Sequence, residues 1–115
     1  MLTIKKLKKI YAKGDISLEA LAGIDLSIEQ KEFTAICGPS GSGKTTLLNI
    51  IGTLDSATEG SIQLNNIDYT QKSQKELSLL RREHFGFVFQ TYNLVPVLTV
   101  YENVELALRL LDLST

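Results

Sequence analysis

Eight consecutive residues, Gly38-Pro39-Ser40-Gly41-Ser42-Gly43-Lys44-Thr45, have the types and spacing needed to grip a phosphate chain. They fit G-x-x-x-x-G-K-[ST], the P-loop pattern. Glycines at 38, 41 and 43 let the backbone turn sharply and come close to an anion. Successive N–H groups can then line an anion nest, and a helix starting near Lys44 adds its positive end. Lys44 can reach the β- and γ-phosphates as a point charge, and the Thr45 hydroxyl can ligate Mg²⁺. The bland alternative is a Gly/Ser-rich turn with an accidental Lys-Thr, and the flanking sequence argues against it.

Two elements must position this loop. Phe33-Thr34-Ala35-Ile36-Cys37 is an apolar run that predicts a short buried strand of the parallel-sheet kind. Leu47, Leu48, Ile50, Ile51 and Leu54 recur at helical spacing behind the loop. Upstream, Leu2, Ile4, Leu7 and Ile10 among lysines predict a strand over 2–10 with one wet face, followed by a turn over Ala12–Ser17. Ile24, Leu26 and Ile28 alternate with Asp25, Ser27 and Glu29, which predicts a half-buried antiparallel strand before the turn at Gln30-Lys31-Glu32.

Downstream, a turn-rich stretch leads to a short strand opened by Gly60, with Ile62 and Leu64 on one face. Asn65-Asn66 is a turn signal that puts Ile62 and Ile67 on paired strands. Ser73 to Glu76 is a capping box, and Leu77, Leu80 and Arg81 carry a helix as far as His84-Phe85-Gly86. Phe87-Val88-Phe89 predicts a second short buried strand, ending at Gln90. After a loop over Thr91–Leu98, Thr99 to Glu102 caps a last helix with an apolar stripe of Val100, Val104, Ala107, Leu108 and Leu111.

Composition sets bounds. At 115 residues the chain has room for one small core. A net charge of −1 argues against an electrostatic trap for nucleic acid, although Lys5, Lys6, Lys8, Lys9 and Lys13 crowd the first strand, where a solvated face is the simplest reading. The single cysteine, Cys37, predicts a buried inert thiol and a reducing compartment. No stretch reaches the length of a membrane span and no signal peptide is visible, so a cytoplasmic location is expected.

The block RREHFGFVFQTYNLVPVLTVYENV, the P-loop with its following LLNIIGTLD, the EGSIQL segment, and Tyr11 with Gly14 carry a family resemblance. The chain resembles the N-terminal part of an ABC-transporter ATP-binding subunit, in the subgroup serving lipoprotein release, macrolide export and antimicrobial-peptide export. The resemblance implies an α/β fold: a partial P-loop NTPase core over residues 33–115, just past the Q-loop, behind an antiparallel β region over 1–32. It implies ATP and Mg²⁺ as cofactors. Tyr11 matches the aromatic that stacks on adenine, and otherwise is a strand-end tyrosine packing on the core. Gly38, Pro39, Ser40, Gly41, Ser42, Gly43, Lys44, Thr45 and Thr46 match the phosphate cradle. Gln90 matches the Q-loop glutamine, which contacts Mg²⁺ and the attacking water, and otherwise caps a strand end. Lys44 and Gln90 are thus the implied catalytic residues, and Thr45 and Gln90 the implied metal ligands. Thr91–Asn103 matches the surface that receives the membrane subunits, with Tyr92, Leu94, Val95 and Val97 as apolar anchors or, alternatively, packing for the next helix. A second ATP-binding subunit is the other implied partner, and no nucleic acid is expected. Assembled, the protein would sit peripherally on the inner face of the plasma membrane.

The 115 residues contain no Leu-Ser-Gly-Gly-Gln signature, no apolar strand ending in Asp-Glu, and no switch histidine; His84 is expected to be a surface helix-end residue. On the family pattern this predicts a truncated three-layer core, negligible ATP turnover by these residues alone, and a tendency to associate. Two other functions compete with the exporter subunit: a binding-only or vestigial nucleotide module, and a soluble ABC-type ATPase of DNA maintenance or a P-loop kinase.

Overall fold

The computed structural model describes residues 1–112. Strand β1 (Leu2–Lys13) lies between β2 (Ile16–Ile28) and β3 (Glu59–Leu64), and β4 (Ile67–Asp68) pairs with β3. Every pairing is antiparallel. Helix α1 (Lys44–Ile51) follows the glycine loop, α2 (Gln74–His84) follows β4, and α3 (Val100–Asp112) comes last.

β1 has neighbours on both sides, and that accounts for its apolar content. Ile4 faces Leu26 on one side and Ile62 on the other. Ile4, Leu7 and Ile62 are the largest fully buried side chains. They join Leu2, Leu21, Leu47, Ile50, Tyr69, Leu77 and Leu80 in one cluster, so the sheet, α1 and α2 share a single core. The Tyr69 hydroxyl donates to Ile51 O at 2.8 Å, and Arg81 Nη1 donates to Thr53 O at 2.7 Å. Both bonds fasten the end of α1, one from the chain after β4 and one from α2.

Strands β1 and β2 are longer than the sequence pattern shows. The predicted turn over Ala12–Ser17 shrinks to Gly14-Asp15, and Lys13 pairs directly with Ile16. Residues 16–19 are all exposed, so no burial alternation marks them as strand. Gly60 sits where β3 crosses the bulge of β1. Its φ is +94°, and a Cβ there would lie 2.5 Å from Lys6 O.

Four expectations are overturned. The predicted strand over 33–37 is unpaired, and all of it but Ile36 is exposed, with Phe33 at 97%. The predicted strand over 87–89 is likewise unpaired and exposed. A strand exists only through its partners, and among the described residues no strand pairs with either run. Cys37, expected to be buried, is exposed for the same reason. The lysine-rich face of β1 is not wholly solvated either, since Lys9 is buried.

Both capping boxes form. Ser73 Oγ accepts from Glu76 N, and the Glu76 carboxylate accepts from Ser73 N at 2.9 Å. Thr99 and Glu102 make the same reciprocal pair. The stripe on α3 faces outward, with Val100, Val104 and Leu108 all exposed, and Leu111 lies where no side chain is described.

Candidate nucleotide-binding site

The glycine loop ends in a left-handed N-cap. Gly43 has φ 94° and ψ 7°, a conformation that glycine adopts without steric cost. A side chain there is also excluded by space, because a Cβ would sit 2.6 Å from Ala20 O on β2. The loop therefore rests its backbone directly on the sheet. The first bond of the α1 ladder runs from Leu47 N to Gly43 O at 2.9 Å. The amides of Lys44, Thr45 and Thr46 precede that ladder and are the orphan donors of the helix start. Among the described residues no side chain caps them.

These groups open into a cavity of about 620 Å³, lined by Ser40 to Thr46 on one side and by Tyr11, Leu18, Glu19 and Ala20 on the other. Its size lies within the range of small-molecule sites, roughly 300–1,000 Å³. Lys44 Nζ is held by its own loop, donating to Gly38 O at 2.7 Å, Pro39 O at 2.6 Å and Ser42 Oγ at 3.2 Å. A cation bonded only to loop oxygens is placed to exchange them for anionic ones, which attract it more strongly. Tyr11 and Leu18 are cross-strand partners in the β1–β2 hairpin, so the hairpin supplies the wall opposite the loop. Orphan amides, an ammonium group, a hydroxyl at Thr45 and an aromatic wall together form a donor set that fits a nucleotide polyphosphate.

Other residues singled out from sequence lie elsewhere. Gln90 is exposed, on the unpaired segment after Phe89, and does not line this cavity. The segment is not featureless, because the rings of Phe85, Phe87 and Phe89 stack in turn at 6.3 and 5.6 Å. Gly38 and Pro39 belong to the loop through their bonds to Lys44 rather than as cavity lining. Tyr92, Leu94 and Val97 are exposed and Val95 narrowly so; Leu94 and Val95 form part of an apolar groove closed by Val100 and Val104 of α3. Asn103 ties that groove together, accepting from Val95 N at 2.8 Å and donating to Thr99 O at 2.9 Å. His84 ends α2 on the surface.

Sequence reasoning missed Lys9 and Asp55. Asp55 Oδ2 accepts from the Tyr11 hydroxyl at 2.7 Å, and Oδ1 accepts from Lys9 Nζ at 2.8 Å. Burial pushes the Asp55 carboxyl up, but the bonds from Lys9, Tyr11 and Ser56 outweigh it and hold the group below its ordinary range. Only a lysine lodged among apolar strand residues hinted at this pair.

A glycine loop of this kind, opening a helix against a β-hairpin wall, belongs to a P-loop nucleotide-binding class. The ABC transporter family profile matches residues 21–114, and the chain belongs to that family. It is 48% identical over 108 residues to the uncharacterized ABC transporter ATP-binding protein MJ0796 of Methanocaldococcus jannaschii, covering 94% of this chain and 46% of that protein. It is 47% identical to the macrolide export ATP-binding/permease protein MacB of Bdellovibrio bacteriovorus, covering 94% of this chain and 17% of the relative. The solved dimeric structure of MJ0796 in a post-hydrolysis state, bound to ADP and Pi, superposes with a TM-score of 0.90 at 47% identity, over 96% of this chain and 48% of that one. The chain thus spans less than half the length of these relatives. Its fold is that of a partial ABC cassette, α/β with an antiparallel sheet. Among the described residues no helix is long and apolar enough to cross a membrane.

Proposed function

We propose that this chain binds Mg-ATP and is the nucleotide-binding part of an ABC-type exporter. The observation that carries this reading is the cavity in which the orphan amides of α1 and the Lys44 ammonium face the Tyr11 wall. Gly38 to Thr46 would wrap the phosphates, Lys44 would neutralise them, Tyr11 would stack on adenine, and Thr45 and Gln90 would hold the ion. Mg²⁺ would neutralise phosphate charge, and Gln90 would also orient the attacking water. An amide suits that task because it offers both an acceptor and a donor.

The similarity to MacB, an ATP-binding/permease protein, supports membrane-spanning partners docking over Thr91–Asn103, where apolar side chains stand in the open. The dimeric MJ0796 structures support a second ATP-binding subunit as the other partner. On this reading the protein works in the cytoplasm, peripheral to the inner face of the plasma membrane, and residues 1–32 and 33–115 serve as β region and P-loop core of one domain.

The test is binding of a non-hydrolysable ATP analogue with Mg²⁺ to the wild type and to Lys44→Ala. Saturable binding lost in the variant, with unfolding unchanged, is expected. Equal binding by both proteins overturns the assignment.

A further inference from the structure

The ring that faces the phosphate loop is not free to turn. Lys9 and Tyr11 lie two residues apart on β1, so their side chains share one face of the sheet. Lys9 Nζ sits 4.8 Å from the centre of the Tyr11 ring and covers one of its two faces. The same nitrogen donates to Asp55 Oδ1 at 2.8 Å and to Ser56 O at 2.6 Å. Asp55 uses its other oxygen for the Tyr11 hydroxyl at 2.7 Å. One carboxylate therefore holds both the ring and the cation behind it.

Asp55 is itself anchored. Leu54 N and Asp55 N both donate to Asn49 O in the last turns of α1, at 2.8 and 3.2 Å. Thr58 N donates to Lys8 O at 2.8 Å and Thr58 Oγ1 accepts from Ile10 N at 3.0 Å, which pins the same loop to β1. The start of α1 makes the phosphate cradle, and the chain leaving its end fixes the aromatic wall. Eight helical residues, about 12 Å of rigid rod at 1.5 Å per residue, set the spacing between the two.

We propose that Asp55 is a positioning residue for base recognition: with Lys9 it clamps the Tyr11 ring at the mouth of the P-loop cavity, leaving one ring face for a purine. This rests on the proposed adenine role of Tyr11. The clamp removes the rotation that a partly exposed tyrosine would otherwise lose on binding, so it acts by preorganisation rather than by touching the ligand.

The test compares Mg-ATP with inorganic tripolyphosphate on the full chain, by calorimetry, for Tyr11→Phe, Asp55→Ala, the double variant and Tyr11→Ala. Tripolyphosphate reports the cradle alone. Tyr11→Phe keeps the ring and removes only the bond to Asp55. It is expected to weaken ATP binding about two- to tenfold and leave tripolyphosphate binding unchanged. Asp55→Ala should lower the ATP-to-tripolyphosphate ratio at least as far, and adding Tyr11→Phe to it should lower the ratio no further. Tyr11→Ala should lower it about five- to a hundredfold, the range of base–aromatic stacking. If Tyr11→Ala lowers the ratio while Tyr11→Phe does not, the clamp is wrong and the adenine reading stands. If Tyr11→Ala leaves the ratio unchanged, the adenine reading falls and takes the clamp with it. Should Asp55→Ala fail to fold, since it leaves buried Lys9 without its carboxylate partner, Tyr11→Phe decides alone.

Discussion

Replacing Gly43 by alanine combines two penalties, of which Gly41→Ala carries only one. Both glycines have positive φ, +77° at Gly41 and +94° at Gly43. An L-residue in the left-handed region costs about 1–2 kcal/mol. The alanine also restricts the unfolded chain, which returns roughly 0.4–1 kcal/mol. Among the described residues nothing lies within 4 Å of where a Cβ on Gly41 would sit, so the net loss there is about 1 kcal/mol. At Gly43 the same Cβ meets Ala20 O at 2.6 Å and Leu21 Cδ2 at 3.1 Å. Nonbonded carbons rest near 3.5 Å, so either the loop or β2 must move. Backbone cannot rotate away as a side-chain tip can, and the total loss is expected at about 2–4 kcal/mol. Thermal unfolding followed by circular dichroism measures both variants. The midpoint of Gly43→Ala should fall at least twice as far as that of Gly41→Ala. Its Mg-ATP binding should fall further still, because the displaced segment carries the orphan amides. Equal midpoints for the two variants would refute the reasoning.

Four further outcomes are expected. Leu7→Ala, at a side chain with no exposed surface, should lose about 2–5 kcal/mol in a urea melt, whereas Lys44→Ala should lose almost nothing because its bonds are to exposed loop oxygens. Bonds from the Ser73 hydroxyl and amide hold the Glu76 carboxyl below its ordinary 4.5, and those from the Thr99 amide and hydroxyl do the same for Glu102. A lowered carboxylate stabilises the fold above its unfolded pKa and loses that contribution as pH falls through the folded one. Helical signal should therefore decline from about pH 4.5 downward, and less steeply in Glu76→Gln. Phe33 and Val88 stand fully open, so light scattering should show association that rises with concentration and is reduced in Phe33→Ser/Val88→Ser. Phosphate release from Mg-ATP by the 115 residues alone should stay at background, since the P-loop cradles and neutralises phosphate but does not deprotonate water.

Local chemistry was legible in the chain itself. The P-loop spacing, both capping boxes and the Asn65-Asn66 turn depend on groups within a few residues of one another, so their geometry follows from short-range bonding alone. The start of α1 at Lys44 and the pairing of β3 with β4 came from the same source. Pairing is a different matter. Phe33 to Cys37 and Phe87 to Phe89 have the apolar content of strands, yet a strand's hydrogen bonds lie on its neighbours, and among the described residues no strand pairs with these runs. Conversely, residues 16–19 carry no burial pattern and are strand because β1 lies alongside. The Lys9–Asp55–Tyr11 cluster joins Asp55 to residues 44 and 46 positions away. No spacing rule reaches that far; only the folding of the α1 exit loop onto β1 brings a carboxylate under the tyrosine and turns a surface-type lysine into a buried one.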